Sequence, residues 1–167
     1  MESFDFREEL KKILASCVDK MWKNDHYLLE SKIHECSISF RIGYYLQNEL
    51  DALKKSGKLN ILKNLVVDAE YNKCLNGQKI CIDEFGREST MRPDLIVHIR
   101  GRDGIDNNFM VIEIKKNVGG ACETDRDYTK LKYLTSDKCK FQYQIGAHVV
   151  VGLTKEIRWF KDGLPED

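Results

Sequence analysis

Arg92-Pro93-Asp94-Leu95-Ile96-Val97-His98-Ile99-Arg100, a polar link from Gly101 to Asn108, and Phe109-Met110-Val111-Ile112-Glu113-Ile114-Lys115-Lys116-Asn117 form the stretch on which the fold turns. Two runs rich in Ile, Val and Leu, joined by a Gly-containing turn, predict a β-hairpin with a longer loop. Such runs suit the interior of a sheet. Both also carry charges. Asp94 opens the first strand, and Glu113 and Lys115 stand near the end of the second. Side chains alternate faces along a strand, so Glu113 and Lys115 are expected to share a face with Phe109 and Val111. Opposite charges among apolar neighbours must be paired, metal-bound or open to a cleft. A salt-bridged sheet edge would give the same Glu-x-Lys triplet; a Pro-Asp at the head of the preceding strand is a narrower coincidence.

Length and composition bound what this stretch belongs to. At 167 residues the chain is expected to form one domain with a sizeable core. Basic and acidic side chains cancel to a formal net charge of zero. That argues against indiscriminate nucleic-acid binding, which favours a basic surface. A local patch is still expected, because Lys115, Lys116, Lys130, Lys132, Lys138 and Lys140 fall in one third of the chain. The six cysteines contain no CxxC pair, and with four histidines they do not suggest a zinc site. They are read as reduced packing residues, with a Cys74–Cys81 disulfide as the alternative. The acidic Met1-Glu2-Ser3-Phe4-Asp5 start is unlike a signal peptide, and no run is long enough for a membrane span, so a cytoplasmic location and no membrane partner are expected. No GxxxxGK[ST] or GxSxG occurs, which argues against a phosphate-loop motor and a serine hydrolase.

Around the hairpin, residues 4–23 carry apolar side chains at helical spacing, as do residues 30–55. In the second helix Ile38, Ile42, Tyr45, Leu46 and Leu53 line one side, with Glu35 a turn before Ile38. Glu35 is either an acid directed at a site or a first-turn residue favoured by the helix dipole. Ile61–Tyr71 reads as a strand carrying Glu70, a second candidate acid whose other explanation is an exposed strand position. Residues 72–89 are irregular, with Ile80-Cys81-Ile82 as a short strand, and are read as an insertion beside the sheet. Val118-Gly119-Gly120 releases the chain into a helix over 123–136, with Tyr128, Leu131 and Leu134 inward and Asp125, Asp127, Lys130 and Lys132 toward solvent. Tyr143–Leu153 reads as a central strand in which His148 is packed rather than a ligand. Ile157–Phe160 is a last strand, ended by Asp162-Gly163.

Pro93, Asp94, Glu113 and Lys115 in this strand context resemble the PD-(D/E)xK nuclease superfamily, the restriction-endonuclease-like fold. The likeness covers residues 30–153. It implies an α/β class with an α-β-β-β-α-β core, a mixed central sheet flanked by helices, and here an extra N-terminal helix. It also implies a divalent-metal-dependent nuclease acting on nucleic acid, DNA first. Asp94, Glu113 and the Ile114 carbonyl would hold Mg²⁺ or Mn²⁺. Lys115 would sit by the attacking water, and Glu35, the acid of the first core helix, would complete the site. His98 and Arg100 would share Asp94's face, with Arg100 or Arg102 as candidate phosphate contacts; Lys130 and Lys132 are others. A homodimer would suit cleavage of both strands of a duplex. The competing expectations are a catalytically silent nucleic-acid- or protein-binding module of the same fold, and a plain Glu113–Lys115 ion pair with no metal.

Overall fold

Three helices open the chain. In this computed structural model, which describes residues 5–30, 34–57, 63–70, 91–102, 104–117 and 125–166 and the backbone of 73–74, 77–78, 80–82 and 88–90, α1 spans Phe6–Asn24, α2 Tyr27–Glu30 and α3 Glu35–Lys55. The Asp5 carboxylate caps α1 by accepting from the Arg7 N–H at 3.0 Å. Leu10, Leu14, Cys17, Val18 and Met21 form its buried stripe, and Ile38, Ile42, Leu46 and Leu50 form that of α3. The helix expected over 30–55 begins at Glu35: His34, extended at φ −64° and ψ 147°, stands at the N-cap of α3, and Tyr27–Glu30 is a short helix of its own. Glu35 is therefore a first-turn residue.

Strand β1 is Leu65–Ala69, shorter than expected, because Glu70 has a φ of 48° and ends it. Two small hairpins follow, β2 (Lys73–Cys74) with β3 (Gly77–Gln78), and β4 (Ile80–Ile82) with β5 (Glu88–Thr90). The short strand expected at 80–82 is thus present. The Cys74–Cys81 alternative and the Val118-Gly119-Gly120 turn lie outside the described side chains and residues. The main elements then run β6 (Leu95–Ile99), β7 (Asn108–Asn117), α4 (Asp125–Thr135), β8 (Ile145–Gly152), β9 (Lys155–Lys161) and β10 (Leu164–Pro165). Among the described residues they make a six-stranded, mostly antiparallel sheet in the order β1-β6-β7-β8-β9-β10. Its one parallel pair, β7 with β8, is joined through α4, as a parallel connection requires a crossover.

Helices cover both faces. On one, α1 and α3 pack on Leu95, Val97, Met110, Ile112, Ile114, Ala147 and Val149. On the other, Leu131 and Leu134 of α4 meet Ile96, Val111, Phe141, Tyr143 and Phe160. All five residues of β6 are buried, which fits a run that is apolar apart from His98. Cys17 and Cys139 are buried, whereas Cys36 is exposed. Among the described residues no helix is long and apolar enough to cross a membrane.

One expectation about β7 fails. Phe109 does not share the face of Glu113. The β6–β7 register shifts between Val97 and His98, with Val97 opposite Met110 and His98 opposite Asn108, so Phe109 is the extra residue of a bulge. It turns to Phe6 of α1, ring centroids 5.5 Å apart, while the buried Asn108 amide donates to the Phe141 carbonyl. The alternation is regular beyond the bulge, and Val111, Glu113 and Lys115 stay together.

Candidate active site

The antiparallel register fixes where the acids meet. Leu95 lies opposite Ile112, so Asp94, one residue before β6, comes level with Glu113. Glu113 is in turn opposite His148 on β8. Asp94, Glu113 and His148 thus form a polar row across the sheet, beneath α4. Asp94 and Glu113 line one cleft of ≈ 450 Å³ with Arg92, Lys115, Arg126, Asp127 and Lys130. Asp94 is held by its own hairpin: Oδ2 accepts from the Ile114 N–H at 2.7 Å. The N–H and C=O of one strand residue project to the same side. The Ile114 carbonyl therefore projects toward the Asp94 side, beyond the last paired residues of β6.

Glu113 is 2 % exposed. Its Oε2 accepts from Lys130 Nζ at 2.7 Å, while Oε1 is buried without a hydrogen-bond partner among the described residues. Burial pushes the carboxyl up to about 8, Asp94 and Asp127 push the same way, and Lys130 opposes. Burial likewise raises Asp94 above its ordinary value, against the Ile114 N–H. Two neighbouring carboxyls, each reluctant to ionise, are a site a cation would relieve.

Lys115 sits between acids, 3.4 Å from Asp127 Oδ2 and 3.7 Å from Glu35 Oε2. Burial works to lower its pKa, but Asp127, Glu35 and Asp94 outweigh that and hold the ammonium above its ordinary value. Glu35 reaches it from α3, and its Oε1 accepts from the Lys116 N–H at 3.0 Å. So Glu35 is both a first-turn acid and a contact of the Glu-x-Lys strand. It faces a neighbouring cleft of ≈ 690 Å³, shared with Asp94, Glu70, Phe40 and Lys116, rather than the one holding Glu113. Glu70 lines that second cleft too, but it is exposed and lies 3.5 Å from Arg92.

Two residues assigned to solvent from sequence turn inward. Asp127 is 5 % exposed; its Oδ2 lies 3.4 Å from Lys115 Nζ and 3.7 Å from His148 Nε2. Burial works to raise its pKa, and the His148 imidazole with Lys115 and Lys130 lowers it on balance. Lys130, one turn on, is the partner of Glu113. Lys132 does face solvent. The available signal was spacing, since Asp127, Leu131 and Leu134 fall at i, i+4 and i+7 on the buried stripe of α4. His148 is packed, as expected, edge-on to Tyr128 at 4.9 Å, with neither ring nitrogen hydrogen-bonded among the described residues. His98 and Arg100 do not join Asp94. Both bind Asp68 of β1, at 2.8 Å from His98 Nε2 and 2.8 Å from Arg100 Nε. Arg102 is exposed in the hairpin loop.

Among the described residues, no three His, Cys, Asp or Glu side chains form a ready-made metal cage. Mg²⁺ does not need one: it commonly takes one or two carboxylates and keeps several waters. Asp94, the unpartnered Glu113 Oε1 and the Ile114 carbonyl fit that donor set, all oxygen and all at one end of the sheet.

No family model matches the chain, and no curated protein does. A solved structure described as the crystal structure of SSO0001 is similar at 18% identity, over 95% of this chain and 77% of that one, with a TM-score of 0.35. A likeness of that size carries no argument about fold or function.

Proposed function

We propose that the protein is a divalent-metal-dependent nuclease of the PD-(D/E)xK kind, hydrolysing phosphodiester bonds in nucleic acid, with DNA the substrate the resemblance implies. The observation that carries this is the meeting of Asp94 and Glu113 in one cleft, with Glu113 Oε1 buried and without a partner among the described residues and Lys115 on the same face. The topology supports it as well. The order α3-β1-β6-β7-α4-β8, with β8 parallel to β7, is compatible with the α-β-β-β-α-β order that the resemblance implies.

In this mechanism Asp94, Glu113 and the Ile114 carbonyl would hold Mg²⁺ or Mn²⁺, which when bound would supply Lewis acidity and offset phosphate charge. Lys115, kept as an ammonium by Asp127 and Glu35, orients the attacking water and faces the charge that builds on the phosphoryl oxygens. An ammonium so held acts as an electrostatic group rather than a base. Arg92 and Arg126 at the cleft rim meet the substrate backbone.

The test is cleavage of supercoiled plasmid, linear duplex, single-stranded DNA and RNA in Mg²⁺, Mn²⁺ or EDTA. Wild type should cut at least one of these only with metal. Lys115→Ala and Glu113→Ala should each lose on the order of 10²–10³-fold in rate or more. The Lys130–Glu113 pair favours a second reading, a silent binding module whose acids are already neutralised. Its mark would be nucleic-acid binding that is indifferent to metal and followed by no cleavage.

A further inference from the structure

We infer that Lys130 is the resident cation of the metal-free site: a divalent cation entering between Asp94 and Glu113 displaces its ammonium from Glu113, so that the two cations exclude each other. This rests on the metal-site assignment of the proposed function.

The geometry gives the reason. Lys130 Nζ lies 2.7 Å from Glu113 Oε2, and the two side chains are 19% and 3% exposed. The ammonium satisfies one carboxylate oxygen and leaves Oε1 without a partner. A metal ligated by Glu113 would lie within a few ångströms of that ammonium. Two positive charges so close, in a pocket shielded from water, repel strongly. Asp127, one turn earlier on α4, is ion-paired with Lys115 at 3.4 Å, a second tie between α4 and β7 that does not involve Lys130. What moves is the lysine head. Its stem is long and partly exposed, and it opens on a cleft already rimmed by Arg92 and Arg126. Swung there, Lys130 adds positive charge where a substrate phosphate approaches, and it does so only once the metal is in place. The contact thus holds the paired acids together without metal and sets a threshold on metal affinity.

Calorimetric titration of Mn²⁺ into wild type, Lys130→Met and Lys130→Arg tests this without any substrate. Lys130→Met should bind Mn²⁺ about tenfold more tightly or better, a difference of ~1.4 kcal/mol. Lys130→Arg should stay near wild type. Acetylation footprinting of the wild type, read by mass spectrometry, covers the case in which a variant fails to fold: the reactivity of Lys130 should rise several-fold on Mg²⁺ saturation. Equal Mn²⁺ affinity in wild type and Lys130→Met, or Lys130 reactivity unchanged while metal binds, overturns this inference and leaves the metal site standing. No Mn²⁺ binding by any of the three proteins overturns both.

Discussion

Glu113 concentrates the energetic cost of the site in one side chain. A carboxylate buried to this degree is tolerated when something compensates it. Here Lys130 does so at one oxygen and nothing described does so at the other. The cost has a measurable pH signature. With an ordinary value of 4.5 and a folded value of about 8, Glu113 keeps in the native state a proton that the unfolded chain releases between those pH values. The native state then binds more protons, so stability falls as pH rises through this window and levels off above it. We predict that the EDTA-treated protein loses on the order of 1–3 kcal/mol from this group between pH 5 and pH 8, less than the full shift implies because the site relaxes. Denaturant melts at several pH values should show the slope, and Glu113→Gln should flatten it. A wild-type slope that matches the variant's would refute this account of Glu113. The residue itself was legible in the sequence, because a charge two positions from another on an apolar strand has few places to go. Its partner Lys130 was not, because a lysine on an amphipathic helix is by default a surface residue.

Among the elements, the hairpin of β6 and β7 does most of the placing. Its register follows from alternation and from two Ile- and Val-rich runs, which is why Asp94 and Glu113 could be set side by side from sequence. The bulge at Phe109 could not, since only packing against Phe6 of α1 decides which face that ring takes. β10 was missed for a related reason. Asp162 and Gly163, with φ of 51° and 79°, reverse the chain in a tight turn and do not merely end β9. The helix α4 was found, but its inward acid was not, because the partners that bury Asp127 come from β7 and β8. The far end of that strand pair offers a sharper test. A Cβ on Gly152 would lie 1.8 Å from the Asn117 carbonyl oxygen, which is backbone and cannot step aside. Asn117 is opposite Gly152 in the register, and the Gly152 carbonyl also accepts from Trp22 Nε1 at 3.2 Å. Gly152→Ala should therefore cost about 3 kcal/mol or more, in the range of strained backbone substitutions. It should appear as a lowered urea midpoint with an unchanged m-value. A loss below ~0.5 kcal/mol would mean that β7 and β8 part freely at this end.

At the scale of the whole molecule, the sheet divides the labour. One face, under α1 and α3, carries the larger hydrophobic cluster. The other face is apolar near Phe141 and Phe160 and polar along the row of Asp94, Glu113 and His148, where α4 brings Asp127 and Lys130 down onto it. Polar groups buried beside a cleft instead of a core cost stability, a cost that the proposed catalytic role would account for. The proposed chemistry requires a divalent cation between Asp94 and Glu113. A crystal soaked in MnCl₂ and measured at the manganese edge tests it most directly. The prediction is an anomalous peak bounded by Asp94, Glu113 and the Ile114 carbonyl, with Lys130 withdrawn from Glu113 and the peak absent from Glu113→Gln crystals. Well-ordered carboxylates with no peak between them, and Lys130 still bound to Glu113, would contradict it.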